Sequence, residues 1–299
     1  MGQLIKLENY ISRYQQDIFH YPSQFSRLKQ ENWKSLFDMW ELRIEALQLE
    51  APEEEPQNQS FFSRWRTLFN KHEEIEVDPL EQPIPQSEDQ LKQFFLDSIF
   101  EFQLNWASTT LSQMSFLDRN YRNDLILKYF LQRYPDTFLF MYKPIFKLKK
   151  AAVDSDLIMI TPVAVYVIKL VEGPSNQTIV ADSDRVWFYD DSNIQTKFMS
   201  PLLSLKRSAK IIQSIIDFHD LDLPVNRVVL SRTNTIRFNL EPYQTEYVDR
   251  DRHEGWLQRQ RQLSSPLKHQ QLKVAEALLN HSDTVSVNRP EWEQPEEEL

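Results

Sequence analysis

The chain has 299 residues, of which 41% are apolar and 26% charged, a composition that is ordinary for a globular protein with a sizeable core. It contains no cysteine, which excludes disulfides, thiolate metal sites and cysteine nucleophiles and is compatible with a reducing compartment. Its three glycines form no glycine-rich phosphate loop, so a Rossmann fingerprint and a P-loop are excluded and no nucleotide cofactor is expected. The net charge of −10 argues against non-specific nucleic-acid binding by the whole molecule.

The first ten residues, MGQLIKLENY, lack the apolar region of a signal peptide. No apolar run in the sequence approaches the length of a transmembrane helix. We therefore expect a cytoplasmic protein that does not contact a membrane.

Residues 1–88 are predicted to form a helical N-terminal region with acidic linkers. Apolar residues recur at helical spacing along residues 3–48, which predicts helices with one buried face. Residues 50–60 and 73–88 are acidic and interrupted by proline, and this composition is typical of linkers.

Residues 89–245 are predicted to form a mixed α/β core, because strand-like and helical patterns alternate there. The predicted elements are a helix from Tyr121 to Arg133, a β-hairpin from Val153 to Gly173, a strand ending at Trp187, a helix from Pro201 to His219 and a strand from Val225 to Leu230. Residues 246–287 are predicted to be a polar helical region, and residues 288–299 a disordered acidic tail.

The predicted hairpin contains the clearest candidates for catalytic or metal-binding residues in the sequence. Asp154 and Asp156 precede a buried strand, and the dipeptide Thr161–Pro162 predicts the turn. In one strand, side chains at i and i+2 point to the same face, so we expect the two carboxylates to project together. Paired carboxylates are typical ligands of a divalent cation in hydrolytic sites.

From about residue 118 to residue 240 the order of elements resembles the nuclease-related domain (NERD) family of the PD-(D/E)xK nuclease superfamily. The matching positions are Asp124 in the helix, Asp154-Ser155-Asp156 before the first strand, Thr161-Pro162 in the turn, Val165 to Ile168 in the second strand, Trp187, and Ser200-Pro201-Leu202 before the long helix. The resemblance covers about two-fifths of the chain and implies a restriction-endonuclease-like mixed sheet flanked by helices.

Two departures from the family fall on its chemistry. The glutamate and lysine that close the second strand in the family are Lys169 and Val171 here. An ammonium in place of a carboxylate reverses an interaction of roughly 3 kcal/mol between unit charges about 5 Å apart at an effective dielectric near 20. The resemblance therefore implies a remnant site at Asp124, Asp154, Asp156 and Lys169 in a protein without catalysis or cofactor, which serves as a binding or scaffold module for a protein partner.

Two alternatives stay open. The first is a DNA nuclease that uses Mg²⁺ or Mn²⁺ bound at Asp156, with Asp184 or Glu101 supplying the missing ligand. The second is a protein that binds nucleic acid without chemistry. Its phosphate contacts would come from Lys147, Lys149 and Lys150, beside the hairpin.

The six histidines are scattered in the sequence without metal-ligand spacing, and each is interpreted as a surface or structural residue. They are His20, His72, His219, His253, His269 and His281.

Overall fold

A computed structural model describes residues 1–49, 85–148, 151–191, 194–263 and 265–289. The chain divides into two compact units, Ser23–Glu101 and a larger unit made of Met1–Pro22 together with Phe102–Leu299. Lys149, Lys150, most of the predicted linkers and nearly all of the predicted tail lie outside the described residues.

Six α-helices are assigned in the described residues: α1 (Tyr21–Leu49), α2 (Glu88–Trp106), α3 (Leu125–Arg133), α4 (Leu202–Phe218), α5 (Arg250–Arg261) and α6 (His269–His281). In the part of the chain that is described, no helix is both long and apolar enough to cross a bilayer. Short 3₁₀ turns occupy Arg13–Gln15 and Arg119–Asn123.

The strands found in the described residues of the larger unit are β1 (Gln3–Leu7), β2 (Gln113–Met114), β3 (Leu139–Tyr142), β4 (Ile145–Leu148), β5 (Ala151–Asp154), β6 (Leu157–Ile160), β7 (Val165–Leu170), β8 (Thr178–Val180), β9 (Val186–Asp191), β10 (Ile194–Met199), β11 (Val225–Leu230), β12 (Ile236–Arg237), β13 (Thr245–Val248) and β14 (Val287–Asn288). The main sheet has six strands in the order β1-β3-β6-β7-β11-β13, and a second sheet has the order β10-β9-β8-β12. The mixed α/β class that the sequence predicts is thus confirmed.

All strands of the main sheet run parallel to one another except β6, which is antiparallel to both of its neighbours. The predicted hairpin is present as β6 and β7, with Leu157 opposite Ile168 and Ile160 opposite Val165. Helix α4 packs on β7 and β11 through its apolar stripe, at the positions where the sequence predicts a helix.

The helix predicted from residue 3 is wrong at its start, because residues 3–7 form strand β1, which pairs with β3. All five residues of β1 are buried, including Gln3 and Lys6. A strand that is buried on both faces has no alternating pattern, and so its apolar residues matched a helical spacing by chance.

Candidate functional site

Polar residues follow the ends of several parallel strands in the main sheet, and we call this border the carboxyl edge. In parallel sheets, ligands bind outside the carboxyl ends of the strands. The residues in question are Glu8 after β1, Lys143 after β3, Glu172 after β7, Arg232 after β11 and Asp249 after β13, with Asp156 just before the antiparallel β6.

Asp156 and Lys169 form an ion pair at this edge. Lys169 Nζ lies 2.8 Å from Asp156 Oδ1, and the carboxylate is almost fully buried while the lysine side chain is 42% exposed. The hydroxyl of Ser208, on α4, donates to the other carboxylate oxygen at 3.3 Å. The carboxylate that the sequence assigned to a metal ion is therefore paired with the ammonium group of Lys169.

The other two residues of the predicted remnant site are not part of this cluster. Asp154 ends β5 and is exposed, whereas Asp156 is buried in the segment between β5 and β6, so the two carboxylates do not lie on one strand as expected. Asp124 caps α3, where its Oδ1 accepts hydrogen bonds from the backbone N–H groups of Ile126 and Leu127. Its Oδ2 accepts a hydrogen bond from the Tyr142 hydroxyl at 2.8 Å, so both carboxylate oxygens have structural partners.

The other residues predicted for a site either form ion pairs with other side chains or belong to the smaller unit. Lys147 forms an ion pair with Asp283 at 2.7 Å. Asp184, proposed as a relocated ligand, pairs with Lys206 at 2.5 Å, and Glu101 belongs to the smaller unit. Within the described ranges, no group of three His, Asp or Glu side chains is arranged to hold a metal ion.

Glu172 and Arg232 form a second ion pair at the carboxyl edge, and it is joined by three hydrogen bonds. Arg232 donates from Nε at 2.7 Å and from Nη2 at 2.9 Å to the two carboxylate oxygens of Glu172, and its backbone N–H donates at 3.1 Å. Burial alone would raise the pKa of Glu172, but the hydrogen bonds and charge of Arg232 outweigh it and lower that pKa. The bidentate geometry fixes the plane of the guanidinium group.

Tyr129 and His253 extend this pair into a cluster of four. The guanidinium carbon of Arg232 lies 4.8 Å from the centre of the Tyr129 ring, a cation–π contact. The Tyr129 hydroxyl and His253 Nε2 are hydrogen-bonding partners. Burial lowers the pKa of His253, and the charges of Arg232 and Arg133 lower it further against the opposing effect of Glu254 and Glu172.

We call Glu172, Arg232, Tyr129 and His253 the histidine cluster. It combines a neutral imidazole, which is able to accept a proton, with a cation held in fixed orientation. Sequence reasoning missed it, since His253 was interpreted as a surface or structural residue and Glu172, Arg232 and Tyr129 were not predicted as site residues. The two charged residues share a position in the structure, because Glu172 and Arg232 each lie two residues after the end of a strand, β7 and β11.

Tyrosines add hydrogen-bonding groups at the same edge. The Tyr121 hydroxyl bonds to Glu8, and burial together with this hydrogen bond raises the pKa of Tyr121. Burial and Asp124 likewise raise the pKa of Tyr142. Both phenols therefore stay protonated at neutral pH.

Comparison with known proteins tests the family prediction made from the sequence. The chain is 37% identical to a protein of Geobacillus stearothermophilus named RNA 2',3'-cyclic phosphodiesterase, over an alignment of 116 residues that covers 34% of this chain and 36% of that protein. The chain thus matches about a third of the length of that relative. No family model matches the chain, and no solved structure matches it significantly.

This similarity corrects the family prediction made from the sequence. The name of the relative points to a different family from the nuclease-related domain and the PD-(D/E)xK superfamily. It also points to an enzyme, so the predictions of a silent nuclease-like scaffold and of a metal-dependent DNA nuclease are wrong. The family prediction relied on the order of elements, and a hairpin followed by a strand and a long helix is common to many mixed α/β proteins.

Proposed function

We propose that this protein hydrolyses 2′,3′-cyclic phosphates at RNA ends and that the carboxyl edge of its main sheet is the site. The proposal is supported by the name of the similar bacterial protein and by the histidine cluster. A 2′,3′-cyclic phosphate forms only where the ribose has a 2′-hydroxyl, so the proposed substrate is RNA and not DNA. A cytoplasmic location remains part of the proposal.

The observation that carries the proposal is the hydrogen bond between Tyr129 and His253, next to Arg232, which Glu172 holds in a fixed orientation. In the reaction, water attacks phosphorus, one ribose oxygen–phosphorus bond breaks, and the departing oxygen gains a proton. His253, whose pKa is lowered, is the group we assign to take the proton from water.

Arg232 is the cation that we assign to the phosphate. Glu172 occupies Nε and Nη2, while Nη1 has no hydrogen bond to any residue that the structure describes. A guanidinium held by one carboxylate can present its remaining nitrogen in a fixed direction to a second anion. Lys169, 42% exposed despite its pair with Asp156, supplies further positive charge along the edge.

The test is hydrolysis of 2′,3′-cyclic AMP by the purified protein, followed by phosphorus NMR. We expect conversion to a phosphomonoester, and a loss on the order of a hundredfold or more in kcat/KM for His253→Gln, because general acid–base groups contribute about that much. His20→Gln, at an exposed histidine of the same unit, is the matched control and should keep the full rate. Absence of hydrolysis by the wild type, or an unchanged rate in His253→Gln, would contradict the proposal.

A further inference from the structure

Two histidines that are distant in the sequence meet where two helices end. His219 directly follows α4 and is exposed, whereas His281 is the last residue of α6 and is half-buried. Their ring centroids lie 5.2 Å apart, with the ring planes 83° from parallel. Neither residue belongs to the histidine cluster of the carboxyl edge.

The tautomer of His281 is fixed by the backbone. Its Nδ1 lies 2.8 Å from the carbonyl oxygen of Ala277, and a carbonyl oxygen only accepts hydrogen bonds, so Nδ1 carries the proton. The lone pair of the neutral ring is therefore on Nε2. Histidines that bind metals almost always donate their other ring N–H to a carbonyl or carboxylate in this way.

The electrostatic surroundings favour a cation over an anion. Both histidines lie at helix C-termini, where the unpaired carbonyl groups give the helix a partial negative charge. Asp220 and Asp222, which follow His219 in the chain, are exposed and add carboxylates to the same turn. A phosphate would be repelled here, and for this reason we do not assign the pair to the hydrolysis of RNA ends.

We propose that His219 and His281 form a two-histidine site for a divalent transition-metal ion, such as Zn²⁺ or Ni²⁺. Imidazole nitrogen suits these ions, whereas Mg²⁺ and Ca²⁺ prefer oxygen ligands. Because no third His, Asp or Glu joins the pair within the described ranges, water fills the remaining positions. A metal ion at this site would therefore keep coordination positions open to solvent and could exchange with ions in solution.

The proposal is tested by calorimetric titration of the untagged full-length protein with NiCl₂ and, separately, with ZnCl₂ and MgCl₂ at neutral pH. The expected result is one ion of Ni²⁺ or Zn²⁺ bound per chain, with no response to Mg²⁺. His219→Gln and His281→Gln should each weaken binding about tenfold or more. His20→Gln, at another exposed histidine, should bind as the wild type does.

His219 is exposed, so its substitution removes a ligand without removing buried contacts, and circular dichroism checks that the variant is folded. Wild-type affinity in His219→Gln, equal losses in His20→Gln, or no binding of Ni²⁺ and Zn²⁺ to the wild type would each overturn the two-histidine site. None of these outcomes bears on hydrolysis of the cyclic phosphate, because that activity is assigned to other residues.

Discussion

A buried carboxylate depends on the cation beside it. Asp156 is almost fully buried, and its charge is balanced by Lys169 and one hydroxyl. Lys169→Met should lower the free energy of unfolding by about 1–3 kcal/mol, because the buried carboxylate then loses its main partner. Denaturant unfolding monitored by fluorescence measures this difference.

The double variant Asp156→Asn with Lys169→Met should recover part of the loss, since no charge is then left buried. Lys206→Met is the matched control, because the pair of Lys206 with Asp184 is exposed on both sides and should be worth no more than about 1 kcal/mol. A double variant less stable than Lys169→Met alone would mean that the pair does not balance a buried charge.

Lys6 is a buried lysine whose ammonium donates hydrogen bonds to three neutral acceptors. Its Nζ donates to the Tyr10 carbonyl at 2.7 Å, Thr284 Oγ1 at 2.9 Å and Gln15 Oε1 at 3.2 Å. Burial lowers the pKa of Lys6 to about 7, with Asp283 opposing the shift and Lys147 adding to it. Since the pKa in the unfolded chain is 10.5, the unfolded state binds more protons between these two values.

The free energy of unfolding should therefore rise with pH above about 7, by at most about 1.4 kcal/mol per pH unit from this one group. Denaturant unfolding at several pH values from neutral to mildly alkaline measures the slope. Lys6→Met should flatten it, and Lys210→Met, at an exposed lysine, should not. Parallel slopes for the wild type and Lys6→Met would show that Lys6 titrates alike in both states.

At the scale of elements, helix capping explains Asp124, which the sequence assigned to a remnant catalytic site. Asp124 accepts two backbone N–H groups at the start of α3 as well as the Tyr142 hydroxyl. Asp249 caps α5 through the N–H group of Arg252, and its other carboxylate oxygen accepts from the N–H group of Ile236 in β12. An acidic residue directly before the first turn of a helix is typical of an N-terminal cap.

Asp124→Ala should lower the free energy of unfolding by about 1–2 kcal/mol, because it removes the cap of α3 and leaves the Tyr142 hydroxyl without its partner. Asp124→Asn keeps an oxygen that can cap the helix and should lose clearly less. Thermal or denaturant unfolding of both variants gives the comparison. Equal losses in the two variants would indicate that the charge of Asp124, and not its geometry as a cap, is what stabilises the protein.

Elements differ in how well the sequence predicts them, and the reason is physical. The hairpin was predicted because Thr161–Pro162 separates two apolar runs, and helix α4 because its stripe has a clean helical period. Strand β1 was missed because every one of its residues is buried. The predicted strand ending at Trp187 is split between β8 and β9, since residues 181–185 form the turn between them.

The candidate site depends on long-range pairing, which no local pattern reveals. Glu172 and Arg232 are 60 residues apart in the chain and meet because β7 and β11 pair in parallel with Leu170 opposite Leu230. His253 joins them because α5 starts where the next parallel strand, β13, ends. The sequence placed Asp156 and Lys169 in one remnant site, but it could not supply the partners from the other strands.

At the scale of the whole molecule, the N-terminal segment is part of the core of the larger unit. Strand β1 lies beside β3, and the Gln103 side chain binds both the Gly2 carbonyl and the Leu4 N–H group. The parallel strands whose ends form the carboxyl edge are therefore drawn from the N-terminal segment and from residues 139–248. This arrangement holds residues far apart in sequence in one polar border, where the proposed hydrolysis takes place.

The pH dependence of kcat/KM for 2′,3′-cyclic AMP tests this account most directly. His253 must be unprotonated to accept a proton from water, and its pKa is lowered from 6.5. We therefore predict that the rate falls on acidification through a midpoint below 6.5, and that this acid limb is absent from the residual activity of His253→Gln. An acid limb of unchanged position in that variant, or no hydrolysis at any pH, would contradict the assignment of the carboxyl edge as the site.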